Sequence, residues 1–260
     1  MFRSQTLRDA LLRGKRRPRR FGAGSPTTYR GDGYEFVELR AYVPGDDVRR
    51  IDWAATARAG DLQTRVVLED VALTLAVLID DTASMQVGRV RPLLAAAQEA
   101  AAEWLGVARG GDRLIRIGND FAGPAYARPS RAFELHGALE TARAALRRGT
   151  ALLAISDWYE LAPRYDDVLE QLGSWCDCTA LIARDPWYDG LPVGGIVRFA
   201  GAEGGALRAY VGKRERAAFH AAVRAREDAI RQQLTRAGWR TGILVERSGV
   251  ASLHAAFGVA

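Results

Sequence analysis

At 260 residues, 48% hydrophobic and 26% charged, the chain is long enough for one large domain or one domain with an appended segment, and it can bury a substantial core. Its longest apolar run, about nine residues around Val71 to Ile79, falls far short of the ~20 needed to span a bilayer; no apolar stretch follows the basic N-terminus as in a signal peptide, so a cytoplasmic protein without a transmembrane segment is expected. The net charge of +6 is unevenly placed, since residues 1–30 hold nine Lys and Arg (Arg3, Arg8, Arg13, Lys15, Arg16, Arg17, Arg19, Arg20, Arg30) against Asp9 alone.

The cluster "RGKRRPRR" could bind nucleic acid or an anionic membrane surface by counterion release. It reads equally as a solvated lead-in to a domain. No aromatic interleaves with it until Phe21, which favours the lead-in. Residues 1–29 are therefore expected to form a basic, mobile tail whose charge the domain leaves unpaired. Within it, residues 4–13 fit a short amphipathic helix with Leu7, Leu11 and Leu12 on one face. "RFGAGSPTTYRGDGYE" is rich in Gly, Ser, Pro and Thr and reads as loop; its Arg-Gly-Asp triplet is too short to carry meaning. In the next segment, Pro44-Gly45 suits the centre of a type II turn. Asp46 or Asp47 can cap a short helical turn through "VRRIDW", and "LQTRVVLE" is a strand. Residues 30–70 are expected to pack on the main domain through Ile51 and Trp53. Asp46, Asp47, Arg49, Arg50 and Asp52 could there make charge-assisted hydrogen bonds, structural or to a partner.

From Val71 onward, apolar strands alternate with helices. Strands are predicted over 71–79, 112–118, 150–156, 177–184 and 239–246. Helices are predicted over 90–109, 132–148, 164–176, 213–238 and 249–258. Residues 195–200 and 206–211 flank the Gly-rich "GAEGG" as a hairpin. Continuous apolar strands alternating with helices indicate α/β architecture, a doubly wound, mostly parallel sheet covered on both faces. Cys176 and Cys178 lack the second pair of ligands a structural zinc site needs and are expected to be ordinary reduced cysteines.

Open α/β sheets bind ligands beyond the carboxyl ends of their strands. Two of the predicted strands end in acids, one at Asp80-Asp81 and one at Asp157. In "DDTASM" the order Asp80, Thr82, Ser84 lets a loop turn three oxygens to one side. If the two strands lie close, these oxygens and Asp157 converge. Carboxylates with neutral hydroxyls suit a hard cation such as Mg²⁺, and few protein charges would leave it ready for an acidic side chain of a protein ligand. A helix N-cap alone would explain Thr82 or Ser84. Several enzymatic readings lack their residues: there is no Gly-x-Gly-x-x-Gly, no Gly-Lys-Ser/Thr and no Gly-x-Ser-x-Gly. Thr82 stands where an aspartyl phosphatase would want its second acid. A Mg²⁺-dependent hydrolase using Asp80, Asp81 and Asp157 would need a base, and His136, His220 and His254 fall in helical patterns far from the loop. A non-enzymatic protein is expected.

"YEFVELRAYVPGDDVRRIDWAATAR" followed by "VLIDDTASM" resembles the bacterial family called domain of unknown function 58. The resemblance extends over roughly residues 30 to 257, including "ISDW", "RDP" and the long basic helix. It implies a von Willebrand factor A-like domain over 71–260 and a metal-ion-dependent adhesion site built from Asp80, Thr82, Ser84 and Asp157. It also implies a partner, a MoxR-type AAA+ ATPase, in a chaperone-like or regulatory role. The chain departs from the family pattern in two places. Thr82 replaces the usual Ser, and the place of a loop Thr is taken by Phe133 or Glu134. Mg²⁺ is accordingly expected to bind weakly, through water, or not at all. The leading expectation is a metal-assisted interaction module; the hydrolase and a nucleic-acid or membrane-surface binder acting through the tail are the alternatives.

Overall fold

The computed structural model describes residues 7–12, 34–43, 48–69, 72–118, 133–189, 193–200 and 205–259. The chain divides into two units, one comprising Met1–Pro18 with Leu73–Ala260 and the other Arg19–Ala72. Helix α1 (residues 7–12) opens the larger unit.

The smaller unit is built on an antiparallel pair, β1 (Tyr34–Ala41) and β2 (Gln63–Glu69), with a register irregularity between Phe36 and Glu38. A 3-10 turn at Val48–Arg50 and helix α2 (Trp53–Ala59) connect the strands. Asp52 caps α2 by accepting the Ala55 N–H at 2.9 Å, which satisfies one of the donors a helix start leaves open. Gly60, at φ 79°, closes the other end. Pro44, Gly45, Asp46 and Asp47 lie outside the described residues. Arg49 is exposed, and Arg50 ends the 3-10 turn. Trp53 corrects an expectation: it is 68% exposed and so is not the buried anchor predicted for this segment. As the first residue of α2 it points outward, and the buried residue of that helix is Ala55.

The larger unit continues with β3 (Thr74–Ile79), α3 (Leu93–Gly106), β4 (Arg113–Ile117), α4 (Leu135–Ala145), β5 (Ala151–Ser156), α5 (Asp166–Trp175), β6 (Asp177–Ala183), β7 (Gly195–Ala200), β8 (Ala206–Val211), α6 (Lys213–Arg236), β9 (Arg240–Leu244) and α7 (Gly249–Ala256). Five strands form a parallel sheet in the order β4-β3-β5-β6-β9, while β7 and β8 make a separate antiparallel hairpin. The predicted doubly wound sheet is present. Successive residues of a strand face opposite sides, so Leu75, Val77 and Ile79 enter one core with Trp104 and Leu253, while Ala76 and Leu78 enter the other with Leu139, Leu172 and Leu234. After β4 the chain crosses to the other side of β3, which puts the reversal of strand order between β3 and β5. Helix α3 starts at Leu93, later than predicted, because Pro92 precedes it in an extended conformation. Cys176 and Cys178 are buried and free.

Helix α1 overturns part of the tail expectation. Leu7 and Leu11 are buried in the core of the larger unit. Arg8, only 3% exposed, donates to the Asp112 carboxylate at 2.5 Å and to the Val107 carbonyl at 3.1 Å. Asp112 also accepts the N–H groups of Leu73 at 2.6 Å and Arg109 at 2.8 Å. Burial pushes the Asp112 carboxyl up, but the Arg8 hydrogen bond, the two backbone donors and the Arg8 charge outweigh it and hold it below the ordinary carboxylate value. The charge of Arg8 is paired because burying the apolar face of α1 carries its neighbouring guanidinium out of water, where an unpaired charge is costly.

Candidate functional site at the carboxyl edge of the sheet

In the register of β3 on β5, Ile79 stands opposite Ile155, and the Asp80 N–H extends the ladder to the Ile155 carbonyl at 2.8 Å. The residue after each strand therefore emerges at the same edge, on either side of the reversal in strand order, where ligands of open sheets bind.

Asp80 is buried, at 4% exposure. Its Oδ1 accepts the Thr82 N–H at 2.8 Å, and its Oδ2 accepts the Ser156 hydroxyl at 2.7 Å. Burial pushes its carboxyl above the ordinary value; donors from Thr82 and Ser156 pull against this, and the nearby Asp157 charge adds to the rise. The Thr82 and Ser84 hydroxyl oxygens stand 2.9 Å apart. Thr82 occupies the position before the 3-10 turn Ala83–Gln86, yet its side chain makes no capping hydrogen bond there. A capping role does not account for this hydroxyl.

Half-buried Asp157 accepts the Tyr159 N–H at 2.9 Å. Between them Trp158 takes a left-handed conformation at φ 57°, which is strained for a bulky side chain. It is held there by its N–H on the Ser156 hydroxyl at 3.1 Å and its indole N–H on the Leu181 carbonyl at 3.2 Å. The kink drives the indole into the core and leaves Asp157 at the rim. Asp80, Thr82, Ser84 and Asp157 thus come to one edge, as their placement on the strands predicted. Phe133 packs against the core and Glu134 precedes α4; neither offers a hydroxyl.

A cleft of about 780 Å³ adjoins these oxygens, lined by Ser84, Asp157, Asp185, Tyr188, Val197 and Phe219 among others. Burial raises the Asp185 carboxyl, partly offset by the Trp187 N–H and the Arg89 charge, with Glu246 adding to the rise. Arg89 lies over the Trp187 ring at 4.6 Å. Burial also raises the Tyr188 phenol, helped by Tyr159. Sequence reasoning missed Ser156, Asp185 and Tyr188. For the first two the signal was available: Ser156 ends a strand beside Asp157, and Asp185 lies two residues past the end of β6. Each histidine has a partner, and that of His220 lines the cleft. His136 stacks edge-on against Tyr165, His220 reaches the Tyr188 carbonyl at 3.1 Å, and His254 meets Glu103 at 3.0 Å.

The donor set fits a hard cation. Among the described residues, no three His, Cys, Asp or Glu side chains gather as a metal cluster, so the oxygens on offer are two carboxylates with two hydroxyls. In a Mg²⁺ octahedron with bonds of about 2.0–2.1 Å, adjacent ligand oxygens lie roughly 2.9 Å apart. The Thr82 and Ser84 hydroxyls hydrogen-bond to each other at 2.9 Å, the ordinary length of such a bond, and a cation would have to take the place of that contact.

A family model described as "Protein of unknown function DUF58" matches residues 38–122. Over 87 residues the chain is 41% identical to uncharacterized proteins of Mycobacterium bovis and Mycobacterium tuberculosis. That stretch is 32% of this chain and 27% of each relative, so the match spans about a quarter of the length of those curated relatives. The chain is also similar to a solved structure, the conserved hypothetical protein BatB from Bacteroides thetaiotaomicron, with a TM-score of 0.42 and 12% identity, covering 71% of this chain and 96% of that one. Asp157 lies outside the family match, and Asp80, Thr82 and Ser84 lie within it.

Proposed function

We propose that this chain is a metal-assisted protein-interaction module, von Willebrand factor A-like in its site, that works with a MoxR-type AAA+ ATPase in a chaperone-like or regulatory role. The observation that supports this reading is the convergence of Asp80, the hydrogen-bonded hydroxyls of Thr82 and Ser84, and Asp157 at one edge of the sheet, with Thr82 unused as a helix cap. Asp80 and Asp157 would supply the charge that holds a divalent cation, and Thr82 and Ser84 its neutral oxygens. The bound cation would supply an electrophilic point for a carboxylate of the partner. Ser156 would orient Asp80 through its hydroxyl, a supporting role of the kind that tunes metal ligands. Asp157, half-buried and lining the cleft, is the part of the site a docking partner would meet first.

Titration calorimetry of Mg²⁺ and Mn²⁺ against the wild type and Asp80→Ala, with and without the ATPase, tests the reading. The substitution is expected to remove the metal heat and the metal-dependent association while the circular dichroism spectrum stays unchanged. Identical heats for both proteins, alone and with the ATPase, would sink it.

A further inference from the structure

We propose that the exposed Ile196–Tyr210 and Arg198–Arg208 face of the β7–β8 hairpin docks an extended acidic segment of a partner protein. Directly opposed residues of an antiparallel pair share one face. Here those pairs are Ile196 with Tyr210, Arg198 with Arg208 and Ala200 with Ala206. On the other face Val197 and Phe199 stand on the cleft wall and Val211 is buried, while Leu207 is exposed; Arg198 and Ala200 of the first face reach the rim of the same cleft. On the first face Ile196 is 83% and Tyr210 67% exposed, and both arginines are exposed. Neither Arg198 nor Arg208 makes an ion pair or side-chain hydrogen bond among the described residues.

Two features of this face oppose stability on their own. Like charges placed directly across a ladder repel, and an exposed apolar pair beside them gains nothing from water. A ligand that brings carboxylates to the arginines and an apolar side chain to Ile196 and Tyr210 relieves both. Guanidinium forks take carboxylates in paired hydrogen bonds. Alternate residues of a strand repeat every ~6.6 Å, the same spacing that separates Ile196 from Arg198 on this face. The complementary chain is therefore an extended one that alternates acidic and apolar or aromatic residues.

The test measures binding of the full chain to the acidic-aromatic copolymer poly(Glu,Tyr), to poly-Glu and to phosphatidylglycerol vesicles. Arg208→Glu is expected to weaken copolymer binding by roughly tenfold without lowering the melting temperature, because it puts an ion pair where two like charges stood. Ile196→Ser is expected to weaken binding to the copolymer but not to poly-Glu. Unchanged copolymer binding in Arg208→Glu would overturn the proposal. So would loss confined to a variant with Arg16, Arg17, Arg19 and Arg20 replaced by Ser, or binding to the vesicles alone.

Discussion

Asp80 holds a carboxylate out of water against the Thr82 and Ser156 donors, and this has a consequence for stability. Its pKa in the folded state is raised, chiefly by burial, so the folded chain binds that proton more tightly than the unfolded one. Ionisation of Asp80 therefore removes stability as the pH climbs from the ordinary carboxylate value through the folded one. Asp80→Asn keeps the shape, accepts the Thr82 N–H and can offer its amide to the Ser156 oxygen. In chelator, the variant is expected to melt with the wild type at low pH and above it at neutral pH. Scanning calorimetry at both pH values checks this; a wild type that melts higher at neutral pH without divalent cations would contradict it. Asp80 itself was legible in the sequence, because an acid ending an apolar run marks a strand's exit. That its second oxygen rests on Ser156 was not, since this contact joins two strands 76 residues apart.

At the scale of elements, α1 is a small helix with a large effect. Leu7 and Leu11 fill the core beside α3 and α7, so Leu7→Ala or Leu11→Ala should each cost about 2–5 kcal/mol. Arg8→Ala leaves Asp112 buried without its guanidinium and should cost ~3–5 kcal/mol, read as a lowered urea midpoint. The folded pKa of Asp112 is depressed, so its contribution is present above the ordinary carboxylate value and is lost as the pH falls through the folded one. The stability gap between wild type and Arg8→Ala should accordingly narrow in acid. The contact between α3 and α7 makes a different demand. A Cβ on Gly249 would lie 1.8 Å from the Ala96 carbonyl oxygen and 2.8 Å from the Ala100 nitrogen, both of them backbone atoms that cannot swing aside. Gly249→Ala is expected to destabilise by ~1–3 kcal/mol or more, and thermal melting checks it. The apolar stripe of α1 could be read from the leucine spacing; its docking site could not.

For the whole molecule, the division of the chain is discontinuous. Met1–Pro18 belongs with Leu73–Ala260, and Arg19–Ala72 forms its own unit between them. Replacing residues 19–72 by a flexible Gly/Ser linker should leave the sheet unit folded, with a melting temperature within a few degrees of the parent. Starting the chain at Leu73 removes α1 and should lower it much more. Circular dichroism melts of the two variants distinguish these outcomes; equal losses would show that α1 does not help hold the sheet unit. The sequence expectation of a mobile tail at 1–29 rested on the basic run from Arg13 to Arg20 and kept the amphipathic segment 4–13 within that tail. Burial then separated residues 7–12 from it.

Local pattern by itself determined the elements. Apolar runs of strand length, helical spacing of Leu and Ala, and acids at strand ends were sufficient for the parallel doubly wound sheet and for Asp80, Thr82, Ser84 and Asp157 as candidates, because each is written within a window of a few residues. Only the tertiary structure decided what those elements meet. The order β4-β3-β5 brings Asp80 to Ser156 and Asp157, α1 finds Asp112 across 104 residues, and the hairpin walls a cleft beside Ser84. Trp53, an expected anchor, is left in water. Such pairings depend on which strands are neighbours and which faces are already filled, and periodicity along the chain carries no record of either.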